Sequence, residues 1–84
     1  MRIDFPIKSA FDFDRQAVAF PAEVAGADVR CFVSVESLRD HFEVDETCNF
    51  VTIFEKNRTR IQNVARRMLE AGATGNIVIK TSHF

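Results

Sequence analysis

The sequence predicts an α+β domain in which an antiparallel sheet of about four strands packs on one long and one short helix, in the order β-β-β-α-α-β. Three patterns support this prediction. An apolar repeat of helical period runs from Asn49 to Gly72, two alternating segments flank a turn at Gly26, and a β-branched segment covers residues 77–82. With 84 residues, 46% hydrophobic and 27% charged, we expect a single domain over residues 1–84.

The long helix is predicted by apolar residues three and four positions apart, which form one stripe along a helix. They are Phe50, Phe54, Ile61, Val64, Ala65 and Met68. Asn49 is a suitable N-cap because its side-chain oxygen can accept from free N–H groups, and Gly72 tolerates the left-handed conformation that ends many helices. Asn57 falls on the stripe, so we expect a buried amide that bonds to backbone of the strand or loop beneath the helix.

The N-terminal segment alternates apolar and polar side chains over residues 2–8, and Pro6 restricts this strand to an edge or a strand end. Residues 9–16 are expected to form a connection in which Phe11 and Phe13 fold back against the core. Asp12 is expected in a solvated turn.

A hairpin is predicted from the segments 17–24 and 29–34. A two-residue loop at residues 26–27 would place glycine where a type II′ turn needs positive φ. This register sets Glu23 opposite Arg30 as a favourable pair of opposite charges.

The remaining elements are a short helix and a closing strand. Ser34 is a candidate N-cap, and Val35 and Leu38 begin an amphipathic helix that ends near His41 or Phe42. The acidic segment that follows leads into the long helix, and residues 77–82 close the sheet.

No cysteine or histidine spacing predicts a metal or redox site. Cys31 and Cys48 are too far apart for a CxxC motif, and His41 and His83 lie far from each other. We expect no metal and no cofactor, and a buried, unreactive Cys31. The role of Cys48 stays open.

Charge is unevenly distributed, although the net charge is only −1. Residues 1–48 carry five Lys/Arg and ten Asp/Glu, whereas residues 49–84 carry six Lys/Arg and two Asp/Glu. Either the basic half binds an anion or the two halves attract each other in the fold. A candidate anion-binding face on the long helix, spanning about 16 Å at 1.5 Å per residue, consists of Lys56, Arg60, Asn63 and Arg67.

A second candidate surface lies on the sheet face that the helices leave open. Alternation places Pro21 beside Phe32 there and adds Val78 from the closing strand. These residues are a candidate interface, either for a homodimer or for an unknown protein partner.

Several segments form a pattern that covers nearly the whole chain. They are Ile3–Pro6, Val18–Val24 with Gly26, Cys31–Leu38, and Phe54, Asn57, Arg58, Ile61, Ala65, Leu69 and Glu70. In these residues the sequence resembles the small bacterial proteins grouped as domain of unknown function 1488. Related sequences often have Trp where this one has Phe11 or Phe13. The resemblance implies a compact α+β domain of cytoplasmic type, and it implies no activity, ligand or catalytic residue.

Three classes of function are compared. The sequence has no nucleophile elbow, no HExxH motif and no glycine-rich phosphate loop, so we expect no enzyme activity. A near-zero net charge and the lack of an RNA-binding aromatic signature make nucleic-acid binding the alternative and a protein-interaction module the leading hypothesis. No apolar run is long enough to span a membrane and no signal peptide is recognised, which predicts a cytoplasmic protein without membrane contact.

Overall fold

The structure is a computed structural model that describes residues 2–42 and 49–84. The predicted α+β class is confirmed. In chain order, the elements are β1 (Ile3–Asp4), β2 (Ala10–Asp12), β3 (Ala17–Val24), β4 (Ala27–Ser34), α1 (Val35–His41), α2 (Phe50–Lys56), α3 (Arg58–Glu70), β5 (Ile77–Ile79) and a 3₁₀ turn (Thr81–His83). Cys48, whose role the sequence leaves open, lies outside the described residues.

The strands of the described residues form one sheet in which β3 and β4 are central. β1 and β2 both pair antiparallel with the same edge of β3, and β4 pairs antiparallel with its other edge. The predicted antiparallel sheet is confirmed for the other pairs of the described strands, whereas β5 runs parallel to β4. The helices connect β4 to β5 as a crossover, which is the connection that parallel neighbours require.

The two N-terminal strands are one strand interrupted by a bulge. Residues 5–9 lie between the pairs Asp4↔Glu23 and Ala10↔Ala19, so five residues stand opposite three on β3. The N–H of Lys8 donates to the carbonyl of Pro6 at 2.9 Å, and this bond forms a γ-turn within the bulge. Residues 10–12, predicted as part of a connection, are therefore the second half of an edge strand.

The hairpin turn lies one residue earlier than predicted. Ala25 and Gly26 have φ of 51° and 85°, the two left-handed positions of a type I′ turn. Glu23 therefore pairs with Asp28, and Arg30 pairs with Pro21, so the predicted Glu23–Arg30 pair is wrong. The register differs by two residues, so each side chain keeps its predicted face of the sheet.

This register places three carboxylates side by side on the outer sheet face. Glu23 is the Cα partner of Asp4 on β1 and of Asp28 on β4. Arg2 pairs with Asp4 through a 3.0 Å contact at the exposed margin. Like charges directly opposite each other destabilise a sheet, so this row opposes folding.

The predicted long helix is interrupted at Asn57. Its φ and ψ of −118° and 20° end α2 and begin α3. The backbone N–H of Asn57 donates to the carbonyl of Phe54, and the Asn57 side chain donates to the carbonyl of Ile53 at 2.9 Å. Asn57 is half-buried and bonds within its own helical segment, so the prediction that it anchors the helix to the sheet is wrong.

The outer ends of this helical pair are those the sequence predicts. Asn49 accepts from the N–H of Thr52 at 2.8 Å. Gly72, with φ of 96°, closes α3 by donating to the carbonyl of Leu69, while Ala73 donates to Met68. These last two bonds form a Schellman motif.

The core lies between the inner sheet face and the three helices. The sheet contributes buried side chains at Val18, Phe20, Ala22, Cys31, Val33, Ile77 and Ile79, and the helices contribute Leu38, Ile53, Phe54, Ile61, Val64, Ala65 and Leu69. Cys31 is fully buried, as predicted, and burial raises the pKa of its thiol from 9.0 to about 11.

The end of the chain is bound to α1. Thr81 donates its hydroxyl to the carboxylate of Asp40 at 2.9 Å, and its carbonyl lies 3.1 Å from Nε2 of His41. The Phe84 ring packs on the rings of His41 and Phe42 at centroid distances of 4.9 and 5.5 Å.

Candidate functional site

The outer face predicted as an interface is largely covered within the chain. Phe32, expected to be its largest exposed side chain, is only 3% exposed. The guanidinium of Arg15 lies 4.4 Å from the centre of the Phe32 ring, and Asp12 holds Arg15 through contacts to its backbone N–H and Nε. Pro21 is half-buried and Val78 is 38% exposed. The predicted contiguous patch of Pro21, Phe32 and Val78 is therefore wrong as an exposed apolar surface.

The four residues of the candidate anion-binding face are all exposed. The break at Asn57 puts Lys56 on α2 and leaves Arg60, Asn63 and Arg67 on α3. Only these last three residues therefore lie on one helix, where their spacing forms a straight stripe. Arg60 also has a structural contact, because its guanidinium lies 5.0 Å from the centre of the Phe42 ring.

Arginine stacking on phenylalanine recurs around the core. In the described residues, the guanidinium carbon lies within 6 Å of a ring centre in the pairs Arg15–Phe32, Arg39–Phe50, Arg58–Phe54, Arg60–Phe42 and Arg66–Phe5. The sequence analysis missed these contacts. The sequence did contain a signal for them, because it has nine Phe, no Trp or Tyr, and an arginine-rich predicted helix. Three of these arginines, Arg58, Arg60 and Arg66, belong to the basic half of the chain.

Arg58 is the arginine with an unmet hydrogen-bonding group. Its Nη1 atom is buried and has no hydrogen-bond partner within residues 2–42 and 49–84. The guanidinium lies 5.0 Å from the centre of the Phe54 ring, which is itself fully buried. A buried donor without an acceptor is unfavourable, so this atom opposes the stabilising contact that the same guanidinium makes with Phe54.

An apolar surface that the sequence did not predict lies where β2 meets α2. We call it the aromatic groove, lined chiefly by Phe11, Phe13, Phe50 and Val51, with a volume of about 470 Å³. The Phe11 ring lies 4.8 Å from Phe13 and 5.9 Å from Phe50, measured between centroids. Phe13 is 78% exposed, so only Phe11 packs back against the core as expected.

The turn that carries Phe13 is held in place by two hydrogen bonds of Gln16. Gln16 adopts a φ of 48° and donates its side-chain amide to the carbonyl of Phe13 at 2.7 Å. The carbonyl of Gln16 accepts from the N–H of Val35 at 3.0 Å, which ties the turn to the start of α1. The exposed ring therefore projects from a turn that is bonded to the rest of the fold.

The chemically reactive side chains of the described residues are dispersed. Within residues 2–42 and 49–84, no three His, Cys, Asp or Glu side chains come together as metal ligands. Nδ1 of His83 accepts from the N–H of Lys80 at 2.9 Å, and Nε2 of His41 contacts Thr81. In this same part of the chain, no helix has the length and hydropathy needed to cross a membrane.

The structure thus defines a small α+β domain with a bulged meander sheet, helices on one face, and an exposed aromatic groove at one edge. The family described as "Protein of unknown function (DUF1488)" matches residues 3–79 of the sequence. The chain belongs to this family, as the resemblance in its sequence indicated.

Individual relatives agree with this assignment. The chain is 29% identical over 68 residues to "Uncharacterized protein YrdB" of Escherichia coli (strain K12), covering 81% of this chain and 80% of that protein, and equally to YrdB of Shigella flexneri. A crystal structure of a DUF1488 protein of unknown function from Shewanella loihica PV-4 matches with a TM-score of 0.79 at 22% identity, over 92% of this chain and 90% of that one. This last similarity concerns the fold alone.

Proposed function

We propose that this chain is a non-catalytic protein-interaction module that binds another protein chain through the aromatic groove. The observation that carries the proposal is Phe13, a ring 78% exposed at the end of a three-ring array. Covering one such side chain contributes about 1.5–3 kcal/mol, which makes it a suitable anchor for a partner. A cytoplasmic location is part of the proposal.

The aromatic lining of the groove and the fixed position of Phe13 support a protein partner. Phe13 is held by a bonded turn, and aromatic rings of this kind bring large contact areas with little loss of side-chain entropy. Asn49 and Gln16 lie at the margin of the groove, where their side chains are held by bonds to Thr52 and to the carbonyl of Phe13. The proposed surface replaces the predicted one because Phe32 is buried.

The non-catalytic part of the proposal is supported by the state of the reactive groups. The Cys31 thiol is buried, and burial raises its pKa further above neutral pH, from 9.0 to about 11, which disfavours the reactive thiolate. The two histidine rings bond to backbone groups of the 3₁₀ turn.

Nucleic-acid or other anion binding through Lys56, Arg60, Asn63 and Arg67 is the second candidate. It is favoured by the exposure of all four side chains and by the helical spacing of the last three. It is disfavoured by the stacking of Arg60 on Phe42, which already uses one of the three arginine and lysine side chains.

Photo-crosslinking distinguishes the two candidates. We expect p-benzoylphenylalanine in place of Phe13 to form a protein adduct on irradiation in cells, and the same group in place of Val78, on the outer sheet face, to form far less. An adduct of twice the chain mass identifies a second copy as the partner, and any other mass identifies a different protein. A nuclease-sensitive adduct from position 63 would instead support the second candidate.

A solution measurement complements the crosslinking. If the adduct is a dimer, the mass of the purified chain rises with concentration and is unchanged by added oligonucleotide, and Phe13→Ser keeps it monomeric while Val78→Ser does not. Equal adduct yields from positions 13 and 78 would show that the aromatic groove is not the binding surface.

A further inference from the structure

The bulge between β1 and β2 opens a second groove, separate from the aromatic groove. We call it the bulge groove; it has a volume of about 290 Å³. The bulge supplies Lys8 and Ser9 on one side, and β3 and β4 supply Pro21, Arg30 and Phe32 on the other. The groove forms because residues 5–9 leave the edge of β3, so that residues 20–22 pair with β4 on one side and have no strand partner on the side of β1 and β2. Bulges commonly redirect side chains beside functional sites.

Two of the three charged side chains that line the bulge groove are cations. Lys8 and Arg30 are exposed, and neither forms a salt bridge within residues 2–42 and 49–84. Asp12, which also lines the groove, is compensated by Arg15 through its backbone N–H at 3.1 Å and its Nε at 3.7 Å. The two remaining cations are therefore available to an anion in the groove.

The floor of the bulge groove is apolar. Ala19 and Pro21 are half-buried, and the Phe32 ring beside them is almost fully buried. Pro21 has no N–H, so it leaves no unmet backbone donor where β3 faces the bulge. A volume of about 290 Å³ is at the small end of the range for small-molecule sites, which fits a short ligand.

We infer that the bulge groove binds a small organic anion. A short apolar segment of the ligand packs on Ala19 and Pro21, and a carboxylate or phosphate group binds between Lys8 and Arg30. The inference follows from two cations that form no salt bridge within residues 2–42 and 49–84 and that line a groove with an apolar floor, and it does not depend on the proposed protein-interaction function.

Ligand titrations followed by amide NMR shifts test the inference, with hexanoate, hexyl phosphate and hexylammonium as probes. We expect either anion to shift the amides of Ser9, Ala10 and Arg30 with a Kd of about 1 mM or below. Hexylammonium has the same tail and the opposite charge, so it shifts none of them. The tighter of the two anions identifies the head group.

Matched variants connect binding to the named cations. Arg30→Gln and Lys8→Gln should each weaken anion binding about ten-fold, whereas Lys80→Gln, at an exposed lysine that lines neither the bulge groove nor the candidate anion-binding face, leaves it unchanged. Thermal unfolding of all three variants checks that each is folded. Binding of hexylammonium as tight as hexanoate, an equal effect of Lys80→Gln, or no binding of either anion at about 10 mM would overturn the inference.

Discussion

Replacing Arg58 by methionine is expected to stabilise this protein. Arg58 places a buried Nη1 without an acceptor in the described residues against the ring of Phe54. Most core substitutions destabilise, so a gain in stability here would be specific to this geometry.

The expected size of the effect follows from three contributions. A buried donor without an acceptor costs about 1–3 kcal/mol, and removing it recovers that amount. Loss of the cation–π contact with Phe54 costs about 0.5–2 kcal/mol. Methionine keeps the apolar stem over the ring and adds a sulfur–aromatic contact of about 0.3–1.5 kcal/mol. We expect the free energy of unfolding to rise by about 1 kcal/mol, or the melting temperature by about 4–8 °C.

Urea unfolding of the parent, Arg58→Met and two controls measures this difference. Arg58→Lys keeps the charge beside Phe54 and should give no gain. Arg67→Met makes the same substitution at an exposed site on the same helix and should change stability by less than about 0.5 kcal/mol. A loss of about 1 kcal/mol or more in Arg58→Met alone would show that Nη1 has a strong acceptor in the folded chain and that the reasoning is wrong.

Three further predictions concern the sheet, the core and the end of α3. Glu23→Lys places a cation between two carboxylates and should raise the free energy of unfolding by about 0.5–2 kcal/mol in low salt, and an equal gain in 1 M NaCl would contradict an electrostatic cause. In a Cys48→Ser background the Cys31 thiol should resist a thiol reagent at pH 8, and rapid labelling under native conditions would disprove its burial. The free energy of unfolding should also fall as pH rises from 9.0 towards about 11, because in this range the thiol ionises readily only in the unfolded chain. Gly72→Ala, at a φ of 96°, should lower the free energy of unfolding by about 1 kcal/mol. Urea unfolding measures this loss, with an alanine substitution at the exposed Thr74 as the control, and no loss would exclude strain at position 72.

The ends of the helical pair could be predicted because their signals are local. Asn49 and Gly72 each act on backbone groups within a few residues, so their side chain or its absence is sufficient evidence. The break at Asn57 could not be predicted in this way. It leaves the spacing of apolar residues intact and changes only which carbonyl accepts the Asn57 N–H.

The hairpin shows the limit of reading turns from glycine alone. Gly26 correctly indicates a two-residue loop, but it fits either of two adjacent positions. The actual turn requires a left-handed alanine at Ala25, which sequence preferences disfavour. The faces of β3 and β4 were still predicted correctly, because a shift of two residues preserves alternation.

The candidate interface on the outer sheet face was predicted wrongly for a different reason, since exposure depends on contacts distant in sequence. Alternation places Phe32 on the outer face, but Arg15, seventeen residues earlier, covers its ring. Phe13 was expected to pack inward with Phe11, yet a three-residue strand followed by a tight turn directs only Phe11 inward. Neither outcome follows from local spacing.

The parallel strand β5 covers a sheet edge that belongs to β4, a strand made more than forty residues earlier. Its pairs with Cys31, Phe32 and Val33 cover the edge of β4, and its two isoleucines are buried in the core. During synthesis the edge of β4 therefore stays unpaired until β5 has been made, and an unpaired strand edge can pair with other chains. A product that stops before residue 77 keeps this edge unpaired, so we expect it to aggregate more readily than a chain that contains β5.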